Sequence, residues 1–294
     1  MFRNNAGNAG NASSPQNIFT RTGTGAVNIF SIILVVIIMV VIVGVTIWII
    51  NRIKDGSKKQ KELTPSKYVQ LNGKKDVPFT ISADDLPSAA MGNDFTMSFW
   101  IYLAENYDVS TNHKLIFYRG EQEGTSTSPL MIKASNPVVA MDRDTNKMHI
   151  AVATTRVNDS MSLDEIFDMR NPSDKRYLTT FIDYVPLQRW VNVTIMIIDN
   201  VMRIYLDGDI YSVASTNEIK GSPSIIASED DITVGTTNQS MNVQGHFSNF
   251  RYYNHSIPHA QIKGIYRQGP VKSSWLSLAG LGRYGVQSPI YKIE

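Results

Sequence analysis

The sequence has 294 residues and no cysteine. Disulfides, thiolate metal sites, iron–sulfur clusters and cysteine nucleophiles are therefore excluded. Charge is also scarce, with Asp, Glu, Lys and Arg making up 18% of the chain. The net charge of +2 is a sum of unlike parts. Residues 1–27 carry Arg3 and Arg21 and no acid. Residues 51–67 carry Arg52, Lys54, Lys58, Lys59, Lys61 and Lys67 against Asp55 and Glu62. Residues 68–294 carry more acid than base, so no nucleic-acid partner is expected. Phosphate loops, dinucleotide-binding glycine motifs and a Ser-His-Asp arrangement are likewise missing.

What is present is sharply divided. "IFSIILVVIIMVVIVGVTIWII", Ile29 to Ile50, is a run of 22 residues without a charge. As a helix it measures about 33 Å and crosses a hydrocarbon core of about 30 Å. Isoleucine and valine disfavour helix in water, but in lipid every backbone group must be satisfied within the segment. The run is longer than the apolar stretch of a signal peptide and no small-x-small cleavage site follows it. It reads as an uncleaved transmembrane anchor whose partner is membrane lipid. Trp48 sits where an interfacial ring belongs. Arg52, Lys54, Lys58, Lys59 and Lys61 complete the expected membrane-interface set, as a stop-transfer flank or a contact with anionic headgroups. Basic residues are more numerous after the span than before it, so the C-terminal domain is expected on the cytosolic side.

Residues 1–28 are rich in Asn, Gly, Ser and Thr and read as a disordered tail. Residues 51–67 read as a basic juxtamembrane linker. From Tyr68 onward, short apolar runs recur between turn signals, the pattern of an all-β domain. In "FTMSFWIYL", Phe95, Met97, Phe99, Ile101 and Leu103 share one face, opposed by Thr96, Ser98, Trp100 and Tyr102. Val191, Val193, Ile195 and Ile197 alternate in the same way, as do Met202, Ile204 and Leu206. Asp199-Asn200 and Asp207-Gly208 are short turns that tolerate positive φ. Residues 138–154 form a further hairpin with its tip at Asp142–Asn146. Two helices interrupt the strands. "SLDE" at Ser162–Glu165 is a capping box, with Met161 and Ile166 as its staple, in a polar insertion over about 156–175. The second helix starts near Pro258, carries Ile262, Ile265 and Tyr266 on one stripe, and ends at Gly269-Pro270. Residues 270–294 read as an extended arm.

The order "YVQLNG", "FTMSFWIYL", "KLIFYRG", the 138–154 hairpin, "RWVNVTIMIIDNVMRIYLDG", "ITVGTTN" and "GHFSNFRYYNHSIPHAQIKGIYRQG" resembles the concanavalin A-like lectin/glucanase superfamily, nearest its laminin-G-like and pentraxin-like branch. The resemblance covers about 68–269. It implies an antiparallel jelly-roll β-sandwich of about a dozen strands, here preceded by a single transmembrane α-helix.

The chemistries that the resemblance brings are weakly represented. Retaining glycosidases of the superfamily use a strand-borne Glu-x-Asp-x-Glu motif, because two carboxylates about 5 Å apart must flank the sugar bond. That motif is missing, and the acids of "LDEIFD" lie at a helix start. No enzyme activity is expected. Calcium is the metal the resemblance suggests, and Asp142, Asp144 and Asn146 have a suggestive spacing, yet a hairpin tip uses those residues anyway. No cofactor is expected. His113, His149, His246, His255 and His259 are scattered along the chain. Trp100 and Tyr102 face away from the inferred core, where rings stack on sugars or are covered by another element.

Two function classes follow, with a distant third. The first is a non-enzymatic structural protein that anchors a shell to a bilayer. It resembles minor capsid proteins of large DNA viruses, which implies coat or capsid partners and a place at a virion membrane or capsid interior. The second is a surface-displayed lectin-like module with carbohydrate as partner. The third is a glycoside hydrolase.

Overall fold

In a computed structural model, the described residues are 29–57, 60–62, 69–71, 78–88, 92–104, 112–123, 130–168 and 175–270. The tail expected over 1–28, the arm from 271 onward, and Lys58 and Lys59 lie outside them.

The uncharged run forms helix α1, Ile29–Ser57. It does not stop at the last apolar residue: the first seven residues of the expected linker continue it. No side chain of Ile32–Ile49 is buried, as in a helix made for lipid contact and unlike one from a soluble core. Thr46 Oγ1 donates to the Ile42 carbonyl at 2.8 Å, which satisfies the lone hydroxyl of this stretch within the helix.

The remaining described residues build three antiparallel sheets, two large and one small. Strands follow the chain as β1 (Gln60–Glu62), β2 (Val69–Gln70), β3 (Phe79–Ile81), β4 (Phe95–Leu103), β5 (Lys114–Arg119), β6 (Glu121–Glu123), β7 (Met131–Lys133), β8 (Val138–Met141), β9 (Met148–Ala153) and β10 (Met161–Ser162). Helix α2 (Leu163–Phe167) comes next, then β11 (Tyr177–Ile182), β12 (Trp190–Ile198), β13 (Val201–Leu206), β14 (Asp209–Ser215), β15 (Ile232–Val234), β16 (Gly245–Tyr253) and helix α3 (His259–Gln268). The first sheet has the order β1-β16-β4-β12-β13-β14, with β2 also paired to β16. The second has the order β11-β9-β8-β5-β15-β3. A three-stranded sheet, β10-β7-β6, stands apart from both.

Period-2 alternation explains the sandwich. Phe95, Met97, Phe99, Ile101 and Leu103 of β4 all enter the core between the sheets, with Val191, Val193, Ile195 and Ile197 of β12 beside them. Phe117, Phe247 and Phe250 fill the centre against Phe99, with the Phe99 and Phe117 rings edge to face at 5.1 Å. The turn residues have the backbone their types permit: φ is 48° and 63° at Asp199 and Asn200, and 50° and 87° at Asp207 and Gly208. Two residues with positive φ suit a tight hairpin between twisted strands.

Two satellite cores cover the outer faces. Over the second sheet, Leu115, Ala140, Ala151 and Tyr177 meet Met161, Leu163 and Ile166 from the insertion. The capping box forms as the sequence predicts: Ser162 Oγ accepts from the Glu165 amide at 3.3 Å, and Glu165 Oε2 accepts from the Ser162 amide at 2.8 Å. Over the first sheet, Ile262 and Ile265 of α3 pack on Met196, Tyr205 and Tyr253. Gly269, with φ at 82°, ends that helix.

The linker contributes to the sheet as well. Gln60–Glu62, which lack any apolar alternation, pair antiparallel with Tyr253–Arg251 at the edge of the first sheet. Backbone pairing at an edge needs no side-chain pattern, which is why a charged segment can supply it.

Candidate binding surfaces

One lateral edge of the sandwich is uncovered among the described residues. β14 ends the first sheet and β11 ends the second, and they lie side by side: Thr180 Oγ1 and Ser212 Oγ are 3.2 Å apart. Tyr211 Oη accepts from the Asp183 amide at 3.0 Å, which ties the two edges together. Around these links stand Phe181, Tyr184, Ile210, Tyr211 and Val213, with Tyr184 59%, Ile210 56% and Val213 54% exposed. A register shift opposite Ile204 and Tyr205 makes Tyr211 the extra residue of β14. Bulges of this kind moderate an edge without closing it. Exposed apolar side chains are thus grouped along these two joined edges.

The aromatic pair expected to bind ligand has two fates. Trp100 is 4% exposed, because Tyr266 of α3 covers it with centroids 5.7 Å apart and planes 14° from parallel. Little of that ring is left in water for a sugar to stack on. Tyr102 remains half-buried in a row across three strands, between Trp190 at 5.6 Å and His246 at 5.7 Å. The register puts both opposite Tyr102, Trp190 from β12 and His246 from β16. Sequence reading missed Trp190 and His246 here. Strand pairing supplies them, and it is not visible along the chain. Partial burial pushes the His246 imidazole below its ordinary range.

A cleft of about 340 Å³ has Asp94, Phe95, Arg119, Ser228 and Tyr252 among its walls. Arg119 is buried, its Nε donating to the Asp230 carbonyl and its Nη1 to Tyr252 Oη, each at 3.0 Å. The guanidinium also lies over the Tyr252 ring at 5.0 Å, so its charge is held by the wall.

The hairpin tip does not gather as a calcium cage. Asn146 Nδ2 donates to the Val185 carbonyl at 2.6 Å, and Asp142 Oδ2 accepts from Thr145 Oγ1 at 2.6 Å. These bonds are those of a closed turn, and Asp144 is exposed. Asp142 Oδ1 points instead toward two histidines, His113 and His149. The acids of the insertion are engaged in structure: Asp164 with His113, Glu165 in the capping box and Asp168 with Arg143 at 2.5 Å. Of the membrane-interface set, Trp48 is exposed on α1, Arg52 and Lys54 lie on its last turns, and Lys61 lies in β1.

The frame is thus a two-sheet antiparallel sandwich with a helix on one outer face and a small capped insertion on the other. The family model described as the concanavalin A-like lectin/glucanases superfamily matches residues 72–263. The chain belongs to that superfamily. No curated protein matches it. Among solved structures, the botulinum neurotoxin serotype G binding domain is similar at 12% identity and a TM-score of 0.41, covering 65% of this chain and 38% of its own. The botulinum neurotoxin DC binding domain, solved in complex with SialylT, gives 13%, 0.44, 72% and 46% in the same order. The serotype D binding domain gives 15%, 0.44, 71% and 46%. The chain therefore spans less than half the length of these structures, and a likeness so distant carries no conclusion about what it binds.

Proposed function

We propose that this chain is a non-enzymatic, membrane-anchored structural protein that links a membrane to a protein shell such as a viral capsid. The observation that supports it most is the open lateral edge of β11 and β14. Exposed apolar side chains along these joined edges offer a seat for an apolar ridge of a protein partner. The same chain carries a helix long and apolar enough to cross a membrane, so a partner held at that edge is held near a bilayer. The excess of basic residues after the span supports a cytosolic side for the sandwich, where a shell would assemble around a membrane.

The test is crosslinking of full-length protein in the membranes of the cells that make it. Recovery in large particles together with shell proteins is the expected result. Ile210→Lys with Val213→Lys should abolish that recovery while the melting temperature stays unchanged, because both side chains are already in water. Recovery unaffected by the double variant overturns the edge as the docking surface.

A second reading, a carbohydrate-binding module, has one specific observation in its favour. The half-buried row of Tyr102, Trp190 and His246 could stack on a sugar ring. Binding on a glycan array that Trp190→Ala abolishes, without recovery of particles, supports that reading over the first. A glycoside hydrolase finds no support from a pair of strand-borne carboxylates.

A further inference from the structure

Asp142 and His149 lie on the two arms of the β8–β9 hairpin, and strand pairing brings the distant His113 beside them. His113 immediately precedes β5, Asp142 immediately follows β8, and His149 is the second residue of β9. β8 lies between the other two strands, with Lys114 opposite Met141 and Met141 opposite Met148. All three side chains therefore reach one corner of the second sheet. They are on its outer face, beside the insertion and away from the main core.

The geometry there is unusual for a plain ion pair. The side chain of His113 is 1% exposed. Its Nδ1 lies 2.5 Å from Asp164 Oδ1. A carboxylate only accepts, so Nδ1 carries a proton, and in the neutral ring Nε2 is then the nitrogen with the lone pair. That Nε2 has no hydrogen-bond partner among the described residues, and neither has Nε2 of His149. Each of these nitrogens lies 3.7 Å from the same oxygen, Asp142 Oδ1. That is too long for a hydrogen bond. Two buried lone pairs and a carboxylate oxygen thus face one another, within 4.8 Å in all directions. Leaving the two buried imidazole nitrogens without a partner is costly, and a cation between them and the carboxylate removes the cost.

We propose that His113, Asp142 and His149 form a binding site for one divalent transition-metal ion of the zinc type. Two imidazole nitrogens and one carboxylate suit zinc and its first-row neighbours, whereas calcium and magnesium take oxygen donors. Donors around a tetrahedral zinc ion, with bonds of about 2.0–2.1 Å, stand about 3.3 Å from one another, so a small inward movement closes the site. Asp164 then orients His113 through its other ring nitrogen, the usual support for a ligating imidazole. The Phe167 ring lies 5.4 Å from His113 and 5.2 Å from His149 and shields the pair on the insertion side. Asp142 and His149 keep 21% and 18% of their side chains exposed, which gives the ion a way in and leaves a position for water. The ion ties the start of β5 and the β8–β9 hairpin together beneath α2. The site is independent of what the sandwich docks to.

The test uses untagged full-length protein in detergent, stripped with a chelator and dialysed against zinc. One equivalent of zinc per chain, by elemental analysis, is the expected result. Cobalt as a probe should give the intense visible bands of a low-coordinate site, and zinc but not calcium should raise the melting temperature. His149→Ala and Asp142→Asn should each weaken zinc binding at least tenfold. Asp164→Asn should weaken it about tenfold to a hundredfold. His149 and Asp142 are partly exposed, so both variants fold and the comparison holds without altering the fully buried His113. Absence of stoichiometric zinc, a preference for calcium, or zinc binding unchanged in both His149→Ala and Asp142→Asn overturns the proposal.

Discussion

Tyr266 of α3 lies flat on Trp100 of β4, and this contact joins that helix to the middle of the first sheet. The stack explains why a tryptophan on the outer face of a strand is buried. Trp100→Ala should destabilise the protein by about 3–5 kcal/mol, as loss of a buried tryptophan does. A double-mutant cycle with Tyr266→Ala should give a coupling of about 0.5–1.5 kcal/mol in denaturant titrations. A Trp100→Ala protein of wild-type stability contradicts the packing role.

Asn192 is a polar residue in the middle of a core strand. It is fully buried, and its Nδ2 donates to Ser98 Oγ at 3.2 Å and to the Phe99 carbonyl at 3.1 Å. Asn192→Ala removes a donor from the Phe99 carbonyl and from Ser98 Oγ, which keeps its bond from Thr194 Oγ1 at 2.9 Å. Denaturant unfolding should show a loss of about 1–3 kcal/mol. A loss under half a kcal/mol, by the same scale, means that other groups replace the amide.

The capping box of α2 supports a short helix that carries Asp164. Ser162→Ala removes the side-chain acceptor of the Glu165 amide. It should cost about 0.5–2 kcal/mol and speed hydrogen exchange at that amide. Unchanged exchange at Glu165 indicates that the satellite core alone holds the helix.

Burial lowers the affinity of His246 for a proton in the folded chain relative to the unfolded one. The unfolded chain, at about 6.5, takes up the proton first. The contribution of this group is therefore complete above about pH 7, declines as the pH falls through 6.5, and levels off below the folded value. Subtracting the profile of His246→Gln from that of the wild type should isolate this slope. A difference curve that is flat, or that rises toward acid, is inconsistent with a desolvated ring.

Asn158, Asn192 and Asn254 each begin an Asn-x-Ser/Thr triplet, so glycosylation gives topology a direct readout. Asn192 and Asn254 are buried, with Asn254 Nδ2 donating to the Ser88 carbonyl at 2.6 Å, so neither can carry a glycan in the folded domain. Asn158 is exposed and is the informative acceptor. In microsomes the sandwich should be digested by added protease and Asn158 should stay unmodified. A protected domain with a glycan on Asn158 reverses the orientation drawn from the basic flank.

Much of the fold is legible in the chain because its causes are local. Alternation in Phe95–Leu103 and Trp190–Ile198 assigns each side chain a face. Positive-φ turns at Asp199-Asn200 and Asp207-Gly208 set the hairpins, and Ser162, Glu165 and Gly269 mark helix ends. What a period of two does not say is what lies over the outward face. Trp100 and Tyr102 are equivalent in the pattern, yet α3 covers one and leaves the other in a surface row. The strand at Gln60–Glu62 was illegible for a different reason, since edge pairing uses only backbone groups.

The sequence by itself determined a membrane-length helix and a sandwich whose inner residues are named by their alternation. Apolarity and period are properties of neighbours along a chain. Only the tertiary structure decided that β11 and β14 share an open edge and that His113, Asp142 and His149 meet at one corner. Those relationships depend on which strands pair and in which register, and hydrogen bonding between distant segments sets both.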